Sequence, residues 1–137
     1  QGGEGEMKLL LIWGASLVLL SIAIGWVIIA RKYLSLKIFE RLFRDDKNLV
    51  KAHIDYVMMA LLLFAFFFIG INLPQPLIWL ACAGAFADPA LFIFLSTKPN
   101  VNKKVGSLFS VISATVFLIT TVGIGGSALF ILLELVK

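Results

Sequence analysis

The chain has few of the residues from which soluble active sites are usually built. It holds one cysteine (Cys82), one histidine (His53), and only 15% charged residues. A single cysteine excludes an internal disulfide and a dithiol redox pair. Cys82 lies in an apolar run, where cysteine behaves as a small hydrophobe. There is no Cys/His set for a structural metal and no pair of histidines. No phosphate-binding glycine loop occurs either. Gly123-Ile124-Gly125-Gly126 sits in an apolar run and follows no strand, so it does not meet the dinucleotide fingerprint. No serine has a histidine base near it in sequence.

What the chain has in abundance is hydrocarbon. Of its 137 residues 61% are hydrophobic, and the mean hydropathy is +1.02. Soluble domains are nearer 45–50% apolar and about 25% charged, so this is the composition of a membrane protein. The length suits one compact domain of short-looped helices. Four apolar stretches reach the roughly 20 residues that cross a bilayer as a helix. They predict helices over 8–31, 47–73, 77–96 and 105–136. The last is too long to span upright without a tilt or a break, and Gly123, Gly125 and Gly126 mark the expected bend. Residues 1–6 (QGGEGE) read as an affinity-tag or linker remnant, and 7–137 as a single four-helix transmembrane domain. The first run, Leu9 to Ala30, exceeds a signal-peptide core, and its strongest positive charge (Arg31, Lys32) follows it. It reads as a spanning helix.

The formal charge of +4 is unevenly placed. Ten of the twelve Lys and Arg fall in two hydrophilic stretches, 31–51 and 98–104. That is the positive-inside pattern. It predicts an all-α integral membrane protein, an antiparallel bundle with both termini outside and both basic loops in the cytoplasm, and it implies no nucleic-acid partner. Within the longer loop, Tyr33, Leu36, Phe39, Leu42 and Phe43 recur at helical spacing against a basic remainder. A basic amphipathic stretch over about 32–46 either lies in the headgroup layer or extends the first helix into the cytoplasm. Arg31, Lys32, Lys37, Arg41 and Arg44 are the expected lipid-headgroup contacts, and Asp46 the expected N-cap of the second span.

Three ionisable residues lie within or at the edge of the spans: His53, Asp55 and Asp88. Such groups are costly in hydrocarbon and belong on the bundle interior with a partner. Asp88 lies roughly 12 Å below the end of the third span at 1.5 Å per residue, so it and His53 occupy the same half of the bundle and could share a cavity. His53, Tyr56, Val57 and Ala60 fall on one helical face. Asp55 lies about 200° around from His53 at 100° per residue, so the two cannot both point straight into one pocket, and Asp55 faces either solvent, as an interfacial carboxylate, or the cavity. Pro89, directly after Asp88, frees a backbone carbonyl one turn earlier. Small residues form two stripes. Gly14, Val18, Ser21 and Gly25 on the first span suit close packing against a neighbour, and Ser107, Ser110, Ala114, Thr121, Gly125 and Ala128 mark a weakly polar face on the last.

Short motifs in the second to fourth spans resemble a known family. Lys51-Ala52-His53 resembles the start of helix 2 in styrene oxide isomerase. Phe94-Leu95-Ser96 leading to Pro99-Asn100 resembles the end of that family's helix 3, and Gly106-Ser107-Leu108-Phe109-Ser110 the start of its helix 4. The small four-helix hydroxylaminobenzene mutases are similar in size and layout. The resemblance covers roughly residues 50–130. It implies a bacterial inner-membrane homo-oligomer, a trimer in that family, with haem b bound through His53. The ferric iron would act as a Lewis acid on a small apolar substrate of the epoxide or arylhydroxylamine class. Asp88 and Tyr56 would be the polar catalytic groups near the cavity. The chain departs from the family at several positions. Met59 and Asp88 stand where the family has asparagines, Phe92 where it has a tyrosine, and Gly84 where it has an aspartate. The ligand is kept while most substrate-orienting polar groups differ.

Three alternatives stand beside this one. The membrane-associated eicosanoid and glutathione metabolism proteins share the four-helix trimeric layout, but their Arg, Asn and Glu glutathione motif falls here on Lys51, Asp55 and Met58. Loss of the bidentate arginine argues against glutathione. The others are a non-enzymatic membrane assembly or partner-binding protein, and a small proton-coupled transport subunit using Asp88.

Overall fold

The computed structural model describes residues 4–97 and 106–137, with no strand among them. Helix α1 spans Glu4–Lys32, α2 Lys37–Leu42, α3 Asp46–Ile69 and α4 Gln75–Thr97. The last span is composite: α5 (Gly106–Thr120), a π-helical turn (Thr121–Gly125) and α6 (Gly126–Leu135). Four segments are long and apolar enough to cross a membrane: Met7–Lys32, Asp46–Ile69, Gln75–Thr97 and Leu108–Leu135. This is an all-α, four-helix membrane protein. Residues 1–3 of the expected remnant and the whole loop 98–104 lie outside the described residues, and α1 already begins at Glu4.

Each span is apolar all round, the pattern of a helix surrounded by hydrocarbon and other helices. Packing is decided by size. Helix α1 buries Met7, Leu10, Gly14, Leu17, Ser21 and Ile24, a stripe at three- and four-residue spacing, against α3. At Gly14 an added Cβ would stand 2.7 Å from the Phe64 ring and 3.3 Å from the Ala60 carbonyl oxygen, so the small face of α1 is the contact face. Helix α3 answers with Leu49, Ala52, Tyr56, Ala60 and Leu63. Its far end is closed by Gly70 in the left-handed conformation (φ 84°), which favours glycine.

Helix α4 packs on α3 with one side and carries the whole last span with the other. Cβ atoms at Gly84 and Gly123 would stand 2.7 Å from the Thr120 backbone and 2.3 Å from the Ala81 nitrogen. The expected bend is thus a π turn, and Gly123 within it is pressed directly on α4. The face that packs is Phe109, Thr120, Gly123, Ser127 and Ile131, while Ser110, Ala114, Thr121, Gly125 and Ala128 of the expected small face are exposed. Helix α4 runs unbroken through Pro89, which is fully buried.

The basic end differs in detail from expectation. Helix α1 stops at Lys32 and does not extend into the loop. The N-cap of α3 is Asp45, not Asp46: its Oδ1 accepts from the Lys47 N–H at 3.0 Å and its Oδ2 from the Asn48 amide at 2.6 Å. Asp46 instead pairs with Arg31 at 3.7 Å. The Asp45 N–H donates to the Ser96 carbonyl at 3.0 Å, which ties the start of α3 to the end of α4.

Candidate functional site

His53 sits in the second turn of α3, where the α3 face meets the small stripe of α1. A carbonyl can only accept, so the 2.7 Å contact to the Ser21 carbonyl oxygen places the proton on Nδ1. Nε2 makes no hydrogen bond among the described residues. The ring abuts Gly25, where an added Cβ would stand 3.3 Å from His53 Cε1. The backbone of α1 therefore holds the Nδ1 proton and leaves room for the ring. Metal-ligating histidines commonly donate their other ring N–H to a backbone carbonyl in this way.

Tyr56, three residues on, is fully buried between α3 and α4. Its hydroxyl donates to the Phe86 carbonyl at 2.9 Å, and its ring meets the Phe86 ring at 6.3 Å. Pro89 removes one N–H from this stretch of α4, and Tyr56 supplies a donor beside it. The Tyr56 proton is thereby committed to backbone. Val57, expected on the same face, is exposed.

Asp55 is only half-buried, on the side of α3 near Asp88 of α4. Its carboxylate and that of Asp88 act on one another electrostatically, and neither has a hydrogen bond or ion pair among the described residues. Both are half-buried. The alternative role for Asp88, a hydrogen bond to the serines and threonines of the last span, is not made. One turn towards the basic end, the Lys51 ammonium lies 5.8 Å from the centre of the Phe92 ring, a cation–π contact. The α3–α4 seam is thus a ladder of Lys51 on Phe92, Asp55 beside Asp88, and Tyr56 on Phe86. His53 stands on the other side of α3, so the structure does not bring it and Asp88 into one pocket.

No group of three or more His, Cys, Asp and Glu that could hold a metal ion occurs among the described residues. A metal held by protein ligands alone does not fit. A single imidazole whose Nε2 makes no hydrogen bond among the described residues fits a metal whose remaining ligands come from a macrocycle, as in haem. Of the expected headgroup contacts, Lys32, Lys37, Arg41 and Arg44 are exposed. Arg31 is not among them: its Nε and Nη2 donate to the Phe43 and Arg44 carbonyls at 2.6 and 3.0 Å.

The sequence reading missed Gly25 and the Ser21 carbonyl as the seat of His53, and Phe86 as the acceptor for Tyr56. Backbone acceptors carry no side-chain signature, although Ser21 and Gly25 already stood out as small residues on one face. Comparison of the chain with family models, curated proteins and solved structures finds no match in any of the three.

Proposed function

We propose that the chain is a haem-binding membrane protein of the isomerase type, in which His53 Nε2 would hold the iron. One observation carries this reading: the only imidazole has its Nδ1–H on the Ser21 carbonyl, and its Nε2 makes no hydrogen bond among the described residues. When bound, ferric haem supplies a Lewis acid, and the reactions that suit one in a bilayer are rearrangements of small apolar epoxides or arylhydroxylamines. The chain's own part is defined by its residues. Ser21 and Gly25 seat the imidazole, the apolar spans exclude water, and the Asp55–Asp88 pair is a group able to hold a proton within the spans. Tyr56, its hydroxyl bonded to Phe86, acts by fixing α4 against α3. The partly exposed His53 edge suits a cofactor shared between copies of the chain, in a homotrimer. The basic ends of the spans suit the cytoplasmic side of a bacterial inner membrane.

The test is the visible spectrum of the full chain, purified in detergent after expression with ample haem, beside His53→Ala. A Soret band that the variant loses is the expected result, followed by turnover of epoxide or hydroxylamine. A colourless but folded wild type rules the reading out and favours the non-enzymatic assembly role.

A second reading rests on the carboxylates of Asp55 and Asp88, which make no hydrogen bond or ion pair among the described residues. A carboxyl pair inside the spans suits a proton carrier in a small transport subunit. It predicts proton flux in liposomes under a pH gradient that Asp88→Asn abolishes. Equal flux in wild type and variant excludes it.

A further inference from the structure

Among the described residues, the segment between the first two spans is left largely uncovered. Helix α2 has six residues and buries none of them. A helix this short does not hold in water by itself and depends on packing of an apolar face. Tyr33 and Ile38 are 73% and 63% exposed, and Leu34, Leu36 and Leu42 are exposed beside them. Lys37, Arg41 and Arg44 are exposed as well, against one carboxylate, Glu40, between residues 33 and 44.

The segment is nevertheless pinned at both ends. The Leu34 and Leu36 N–H groups donate to the Ile29 and Ala30 carbonyls at 3.1 and 3.0 Å. At the other end the Arg31 guanidinium holds the Phe43 and Arg44 carbonyls and pairs with Asp46. Five large apolar side chains and three cations are therefore held directly at the level where α1 leaves and α3 enters the membrane-spanning layer.

We propose that residues 33–44 form a strap that docks on the anionic phospholipid headgroups of the leaflet at the basic end of the spans. The apolar side chains enter the headgroup–acyl boundary, continuing the lipid-covered surface of the spans. Lys37, Arg41 and Arg44 meet lipid phosphates, as basic segments beside a membrane do. Arg31 is the internal clamp and not a lipid contact. The occupant is an acidic lipid surface because the strap combines net positive charge with apolar side chains too few to form a protein core.

The experiment is amide hydrogen exchange over residues 33–44 in the full chain. Nanodiscs of phosphatidylcholine alone are compared with discs containing added phosphatidylglycerol. Exchange in the strap should be on the order of tenfold slower in the anionic discs, given three cations near the surface. High salt should remove the difference, and so should the K37E/R41E/R44E variant, with exchange in the four spans unchanged. Equal exchange in the two discs overturns the proposal. So does equally slow exchange in lipid-free detergent, which would mean that another protein surface or a second copy covers the strap.

Discussion

His53 and Asp55 sit two residues apart on α3 and face different helices, one the α1 backbone and the other Asp88. Helical geometry gives their angular separation from the sequence alone. Which neighbour occupies each direction is not written in one helix, because it depends on how the spans pair. That is why Asp55 was legible as turned away from His53 but not as the partner of Asp88. The pairing has an energetic consequence. Two half-buried carboxylates near one another repel, and no ion pair or hydrogen bond offsets this among the described residues. Asp88→Asn should therefore raise the melting temperature in detergent, by a small amount because solvent screens the pair. A lower melting temperature would show that the Asp88 carboxylate is bonded in the assembled protein. If the variant is more stable and loses activity or flux, Asp88 is kept for function at the expense of stability.

The elements were the most legible level, since a span needs a long apolar run and nothing else in 137 residues supplies one. The described helices run Glu4–Lys32, Asp46–Ile69 and Gln75–Thr97, and the last ends at Leu135, while its expected start at 105 lies outside the described residues. The last span illustrates what periodicity leaves open. Small residues line two neighbouring faces of it, and the one pressed on α4 carries Gly123 and Ser127, not Gly125 and Ala128. The discriminating test is a pair of alanines. Gly123→Ala places a Cβ against the backbone of Leu80 and Ala81, where nothing can give way, and should cost about 2 kcal/mol or more through overpacking. Gly125→Ala meets nothing within 4 Å and should be neutral or slightly stabilising. Unfolding by denaturing detergent would separate them, and equal losses would mean that the π turn itself, not the seam, sets the cost.

For the whole molecule, the spans pack in the order α1, α3, α4 and then the α5–α6 span, with α1 and the last span making at most marginal contact. The order follows from where small residues let backbones approach: Gly14 to α3, and Gly84 and Gly123 between α4 and its neighbour. Large apolar side chains such as Phe68, Leu19 and Phe117 are left on the outside, facing hydrocarbon. Every residue of the candidate site (Ser21, Gly25, His53, Asp55, Tyr56, Phe86 and Asp88) lies on the first three spans, and the last contributes none.

This distribution has a consequence for biogenesis. A protein made from its N-terminus delivers its spans to the membrane in order, so the seat of His53 and the Tyr56–Phe86 link can form while the last span is still inside the ribosome. Chains stalled once Thr97 has cleared the exit tunnel, carrying Gly25→Cys and His53→Cys in a Cys82→Ala background, should already cross-link as the finished protein does. Cross-linking that waits for the last span would mean that α4 cannot settle on α3 until its other side is covered.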